Sequence, residues 1–338
     1  MAAPANHPVM PAPALRLGAA LVVGLIAGGC GGSAGPALGT DPGTSDQLEE
    51  LFAQWRDFER PVFVDGVPDY SSGAMAAQHA ELEEWRSRLH ALWNDEWPVA
   101  TKVDWHLVRA EMNGLDFDHR VRRPWERDPA FYVMIYPAES DVPAHEGPTI
   151  HGFIDTWTYD YPLAETDATE LAGRISAIPP LLAQAQDNLS GDARDLWIAG
   201  IRAFRGQVAD LQVLGSRVQG TLATLDSAIV SAAEASEVFV QWLEAEAGSR
   251  NGPSGVGKDN YTWYMRNVHL VPYSWEEQVT LMRRELARAH ASMRLEENRN
   301  RDLPELERIA SAQEYDRRLN ESVDRYMRFL EEEEIETV

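Results

Sequence analysis

From residue 46 onward the apolar positions recur at helical spacing rather than in strand-like alternation. Leu48, Leu51, Phe52 and Trp55 share one side of a helix opening behind Asp46, with Glu49 three residues on at capping-box spacing. Over about 74–93, Leu82, Trp85, Leu89, Leu92 and Trp93 mark a second amphipathic run. A third covers about 100–120, with Val103, Leu107 and Val108 expected to face inward. The pattern then fails over about 122–164, where Pro124, Pro129, Pro137, Pro143, Pro148 and Pro162 exclude a long helix. An extended, packed loop is expected there, with room for a short strand at "FYVMIY". Helices resume at Asp167, with Glu170 three residues later. Ser190 is the expected cap of "GDARDLWIAGIRAFRGQVADL", and an Ala-rich helix follows over about 217–247. After the break "GSRNGPSGVG", Ser274 and Glu277 stand at capping-box spacing before "WEEQVTLMRRELARAHASMRLEENR", and a last helix is expected over about 304–333. No repeat of fixed period is evident. The pattern predicts an all-α fold: an array of long helices with one Pro- and aromatic-rich irregular segment, in one domain over 46–338.

The N-terminus reads as an address. Arg16 precedes the apolar run "LGAALVVGLI", too short to span a bilayer comfortably, and then "AGGC". Cys30, the lone cysteine, resembles the lipidated residue of a bacterial lipobox, although Ala27 stands where such boxes usually carry Leu. The expectation is a signal peptide over 1–30, starting at Met1 or Met10, and lipidation at Cys30. A Gly/Pro-rich tether follows over 31–45. An ordinary cleaved secretion signal is the alternative. Lipidation would place the domain in the cell envelope, facing the periplasm or on the outer membrane of a Gram-negative cell. With one cysteine no internal disulfide can form, so packing must supply stability.

Composition narrows the partners. A formal net charge of −24 argues against nucleic acid and against docking on anionic lipid headgroups. A cationic substrate remains compatible, as does a plainly solvated acidic surface. Eleven Trp and 44% hydrophobic residues are enough for a substantial core.

Candidate chemistry is sparse. "HEGPTIH" sets His145, Glu146 and His151 together, but His145 and His151 are six apart and would leave different sides of a helix. Pro143 and Pro148 oppose a helix there in any case. A loop zinc site would need a third ligand that the sequence does not indicate. His79 and His90 share roughly one helix face, while His106, His119, His269 and His290 are scattered. There is no Walker loop, and Lys258 of "GVGKDN" precedes Asp259 rather than Ser or Thr.

"GVGKDNYTWYMRNVHLVPYSWEEQVTLMRREL", residues 255–286, is more distinctive: a Gly-Lys turn, an aromatic helix bearing Arg266, a short break and a Ser-capped helix. This stretch resembles the corresponding segment of the bacterial family called domain of unknown function 885, a likeness that extends over about 45–338. Members resemble helical zinc peptidases of the carboxypeptidase Taq type, whose metal motif is H-E-x-x-P-G-H-x-x-Q. That motif is absent from this chain, so no catalytic or metal residue carries over. The resemblance implies the N-terminal half of such a fold, without catalytic activity of its own. Zinc and the catalytic helices would belong to a missing C-terminal half, and the substrate would be peptide-like. Lys258, Tyr261 and Arg266 are then candidate cleft-lining residues, able to bind a carboxylate or an oxyanion. The competing expectation is that the aromatics are core and the two cations surface. A different class also stays open: a complete helical envelope lipoprotein acting as a binding or assembly module. So does a weaker third reading, an autonomous metalloenzyme using the His145 loop. An exposed apolar face on "YDRRLNESVDRYMRFL" would favour the half-protein.

Overall fold

Nine of the first thirteen helical residues after Thr44 are polar or small, yet Leu48, Leu51 and Trp55 form an unbroken buried stripe. That stripe opens the fold in a computed structural model, which describes residues 43–139, 153–304, 307–333 and 335. Gly43 opens the compact helical unit. Cys30 therefore lies outside the described residues, as do His145, Glu146 and His151.

Helix α1 (Ser45–Phe58) is capped by Thr44 and Gln47 in a reciprocal capping box, not by Asp46 and Glu49. Gly43, assigned to the tether by sequence, belongs to the packed domain. The Trp97 indole donates to its carbonyl at 2.7 Å, and a Cβ at Gly43 would stand 2.2 Å from the carbonyl oxygen of Leu92. Helices α2 (Ser72–Ala91) and α3 (Val99–Phe117) close a first core with α1, from Trp55, Leu82, Leu89, Trp105, Met112 and Leu115. Burying side chains of this size contributes about 2–3 kcal/mol each. Val108 faces inward as expected. Val103 and Leu107 do not: each is about half exposed, because the side of α3 that carries them is left uncovered by α1 and α2.

At its end α3 widens into a π turn, Asp118–Arg122, and Arg123 takes a left-handed conformation with φ 41° before Pro124. The irregular segment contains local structure. A short helix α4 (Pro124–Arg127) and a 3-10 turn (Pro129–Tyr132) lead into strand β3 (Ile135–Tyr136), numbered after a small antiparallel hairpin, β1 (Phe63–Val64) and β2 (Val67–Pro68). Within "FYVMIY", Phe131 and Tyr132 end the 3-10 turn and Ile135 and Tyr136 form the strand. Strand β3 pairs in parallel with β4 (Ile154–Asp155).

The larger core lies between this segment and helices α5 (Glu165–Ile175), α6 (Ile178–Asn188), α7 (Arg194–Val218) and α8 (Ala223–Ala247). Phe204 of α7 meets Phe239 of α8 edge to face at 4.7 Å. Gly200 lets α7 approach the segment: a Cβ there would stand 2.6 Å from Cβ of Pro129. Helix α7 is not capped by Ser190. Ser254, from the "GSRNGPSGVG" break, accepts from the amide of Asp195 at 2.7 Å, and the Arg127 guanidinium donates to the Pro253 carbonyl at 2.9 Å. The break is consequently tied across α7. The expected start near 217 for α8 moves to 223, because Gly220 turns the chain at φ 78°.

Helices α9 (Lys258–Asn267), α10 (Trp275–Arg299) and α11 (Ala312–Glu332) complete the all-α fold. The Ser274/Glu277 capping box is present. Helix α11 starts behind Ser311, later than the expected 304.

Candidate ligand-binding cleft

A cleft of about 720 Å³ opens where three helices meet. From α1 come Ser45, Leu48, Glu49, Phe52 and Arg56, which one helical face presents together. Asp104, Leu107, Val108, Glu111 and Gly114 supply the facing side of α3. The end of α9 and the residues after it give Tyr264, Val268 and His269. Tyr264 is held by Phe117, whose ring lies 4.8 Å away, while Trp263 stacks on the same Phe117 at 5.7 Å. The volume suits a small molecule or a peptide end.

Lys258, Tyr261 and Arg266 all point toward α10 instead of into this cleft. The Lys258 ammonium sits 4.0 Å from the Trp275 ring centre, and the Tyr261 hydroxyl donates to Gln278 at 2.9 Å. Arg266 donates to the Pro272 carbonyl at 3.3 Å and lies 3.8 Å from Glu277. They fasten the α9–α10 corner. From the same sequence segment, the cleft receives Tyr264, Val268 and His269.

Electrostatics beneath the cleft are tightly organised. Arg56 pairs with Glu59 at 2.9 Å and lies 3.7 Å from Glu111. Burial pushes the Glu59 carboxyl up to about 7; Arg56 opposes that shift and Glu111 adds to it. One Glu59 oxygen, Oε2, is buried without a hydrogen bond.

Next to the cleft, the π turn gathers groups that are distant in sequence. Asp116 accepts from Arg120 at 2.6 and 2.8 Å and lies 3.2 Å from Arg86 and 3.3 Å from His79. Burial disfavours its charge, but Arg120 and Arg86 outweigh burial and hold the carboxyl below its ordinary range. His79 and His119, scattered in the sequence, stack with ring centres 4.9 Å apart. Gln78 donates its amide to the carbonyls of Phe58 and Glu59, each at 3.2 Å, so its oxygen must accept from His119 Nε2 at 3.0 Å. Burial pushes His119 down to about 4, helped by His79 and opposed by Asp116. Asp118 is pushed up to about 6 by burial, against the pull of Arg122 at 2.9 Å.

Among the described residues, no three His, Cys, Asp or Glu side chains converge as metal ligands. A zinc ion has no set of donors to fit there, and no chemical step is assigned to one. The π turn was invisible to motif reasoning. The one available signal was the dense charge in "LDFDHRVRRPW" where the third helix had to stop.

The family model described as "Bacterial protein of unknown function (DUF885)" matches residues 58–334. No curated protein matches the sequence. Among solved structures, the chain is similar to one described as "a putative lipoprotein of unknown function from Shewanella oneidensis", with a TM-score of 0.55 and 13% identity. The likeness covers 87% of this chain and 57% of that one. At this identity it concerns the fold alone, and the chain spans little more than half the length of that structure.

Proposed function

The chain belongs to the bacterial DUF885 family, and from that premise we propose that it forms one wall of an exported, lipid-anchored, hydrolase-like helical protein whose zinc-binding helices lie in a further portion. The supporting observation is an uncovered apolar face. Neither α10 nor α11 buries a single residue. On α11, Tyr315, Leu319, Val323, Tyr326 and Met327 recur at helical spacing, each at least 42% exposed. On α10, Met282, Leu286 and Met293 do the same. Repeated exposure of large apolar side chains on two long helices supports a packing partner for that face. In this reading the partner is the catalytic helical portion, which would also supply the zinc chemistry, namely activation of water. A peptide-like substrate would lie against the cleft of α1, α3 and α9.

The genomic DNA beyond the codon for Val338 tests the proposal. An H-E-x-x-P-G-H motif there, in frame or just out of frame, is the expected result. A stop with no such motif nearby would overturn it and leave a complete helical binding module.

Anchoring through Cys30 is part of the same reading. No described helix is long and apolar enough to cross a membrane, and the similar structure is described as "a putative lipoprotein". A Cys30→Ser variant should move the protein from the membrane pellet to the soluble fraction and abolish palmitate labelling. Unchanged partitioning of that variant would remove lipid as the anchor.

A further inference from the structure

The α1–α3–α9 cleft is lined by carboxylates and apolar side chains, and its one guanidinium is already engaged. Arg56 is held by Glu59 at 2.9 Å and lies 3.7 Å from Glu111. Glu49 and Asp104, on opposite helices, enter no ion pair among the described residues. Phe52 and Leu107 line the same cleft, the latter 50% exposed. Tyr264 lines the opposite end of the cleft, its ring 4.8 Å from that of Phe117 at the end of α3. An anion entering beside Glu49 and Asp104 would meet two carboxylates, with Arg56 already held by Glu59, and with His269 on the α9 side of the cleft. A fully apolar ligand would leave those carboxylates partly desolvated and unpaired, at a cost. A primary ammonium carried on an apolar or aromatic body satisfies both kinds of lining.

We propose that this cleft binds such amphipathic organic amines, with the ammonium between Glu49 and Asp104 and the apolar body on Phe52 and Leu107. In the peptide-like ligand of the reading above, this would be a free amino group beside an apolar side chain. The inference rests on that reading only in treating the cleft as a ligand-contacting wall. It can fail while the DNA result stands, and the reverse also holds.

The probe is 2-phenylethylamine, titrated calorimetrically into the purified chain at pH 7.5 and low salt, with 3-phenylpropionate as an anion of similar shape. The amine should bind saturably and at least tenfold more tightly than the carboxylate. Asp104→Asn combined with Glu49→Gln should weaken it at least fivefold, as should raising the salt to about 0.3 M, where the Debye length falls to about 6 Å. Leu107→Ala should weaken it severalfold without altering the salt dependence. All three positions are exposed, so circular dichroism should match the parent chain. Equal binding of amine and carboxylate, or no saturable amine binding, would overturn the proposal. So would amine binding that the double variant leaves unchanged. Binding of a basic amphipathic helical peptide without the amine would also overturn it, making the cleft a helix-docking face.

Discussion

Replacing Gln207 by Leu should lower the stability of the chain by about 3 kcal/mol, although the two side chains are similar in size and leave little cavity. Gln207 is buried on α7, where its oxygen accepts from the amides of Met134 and Ile135 at 2.8 and 3.3 Å, and its nitrogen donates to Ser236 of α8 at 3.0 Å. One side chain thus satisfies the start of strand β3 and joins it to the central helix pair. The Leu variant strands two buried amides and a hydroxyl, and each such group costs about 1–3 kcal/mol when unpaired. Urea unfolding followed by circular dichroism would show the midpoint fall. Because Ser236 shares the network, adding Ser236→Ala should cost less in the Gln207→Leu background than in the parent. Full additivity of the two substitutions, or a Gln207→Leu midpoint within error of the parent, would refute this account.

Glu59→Gln should act in the opposite direction, and only at high pH. Glu59 has a folded-state value raised from 4.5 to about 7. A raised carboxyl is at full advantage below its unfolded value, and that advantage is lost as pH rises through about 7. At pH 8 the parent therefore holds a charged, poorly hydrated carboxylate with one oxygen lacking a hydrogen bond. Gln keeps an acceptor for Arg56 without the charge. The expected gain is about 2 kcal/mol at pH 8 and close to nothing at pH 4.5. Asp118, raised to about 6, slopes the same way as Glu59, whereas His119, lowered to about 4, slopes oppositely between about pH 4 and 6.5. The parent's own pH profile is consequently a partial cancellation. The difference between variant and parent isolates Glu59, and an equal difference at pH 4.5 and 8 would contradict the assignment.

Local signals were legible where the determining residues adjoin one another. Ser274 and Glu277 cap α10 as their spacing predicts, since both partners lie within one turn. The stripe of Leu48, Leu51 and Trp55 was readable for the same reason, as was the refusal of 122–164 to form a long helix. Local rules failed where two candidates competed. Thr44/Gln47 and Asp46/Glu49 have identical spacing, and the first pair caps α1 in a chain that enters through Gly43, packed beneath Trp97 and Leu92. Ser190 is a sound cap by type, but Ser254 does the work from some 60 residues away.

The sequence by itself determined the helical class, the irregular segment and the amphipathic faces of the last helices, because periodicity and proline act over a few residues. Its resemblance to the DUF885 family also preceded any structure, carried by residues 255–286. Tertiary structure alone decided which residues form the cleft. Lys258, Tyr261 and Arg266 have the right chemistry for a binding site, yet Trp275, Gln278 and Glu277 engage them at the next corner. Glu49, Asp104 and Glu111 are ordinary acidic residues in an acidic chain until α1 and α3 set them around one space. The stacking of His79 on His119 and the burial of Glu59 likewise depend on helices meeting across long stretches of chain. Charge and apolar character are fixed one residue at a time, but desolvation and pairing come from neighbours that only the fold provides.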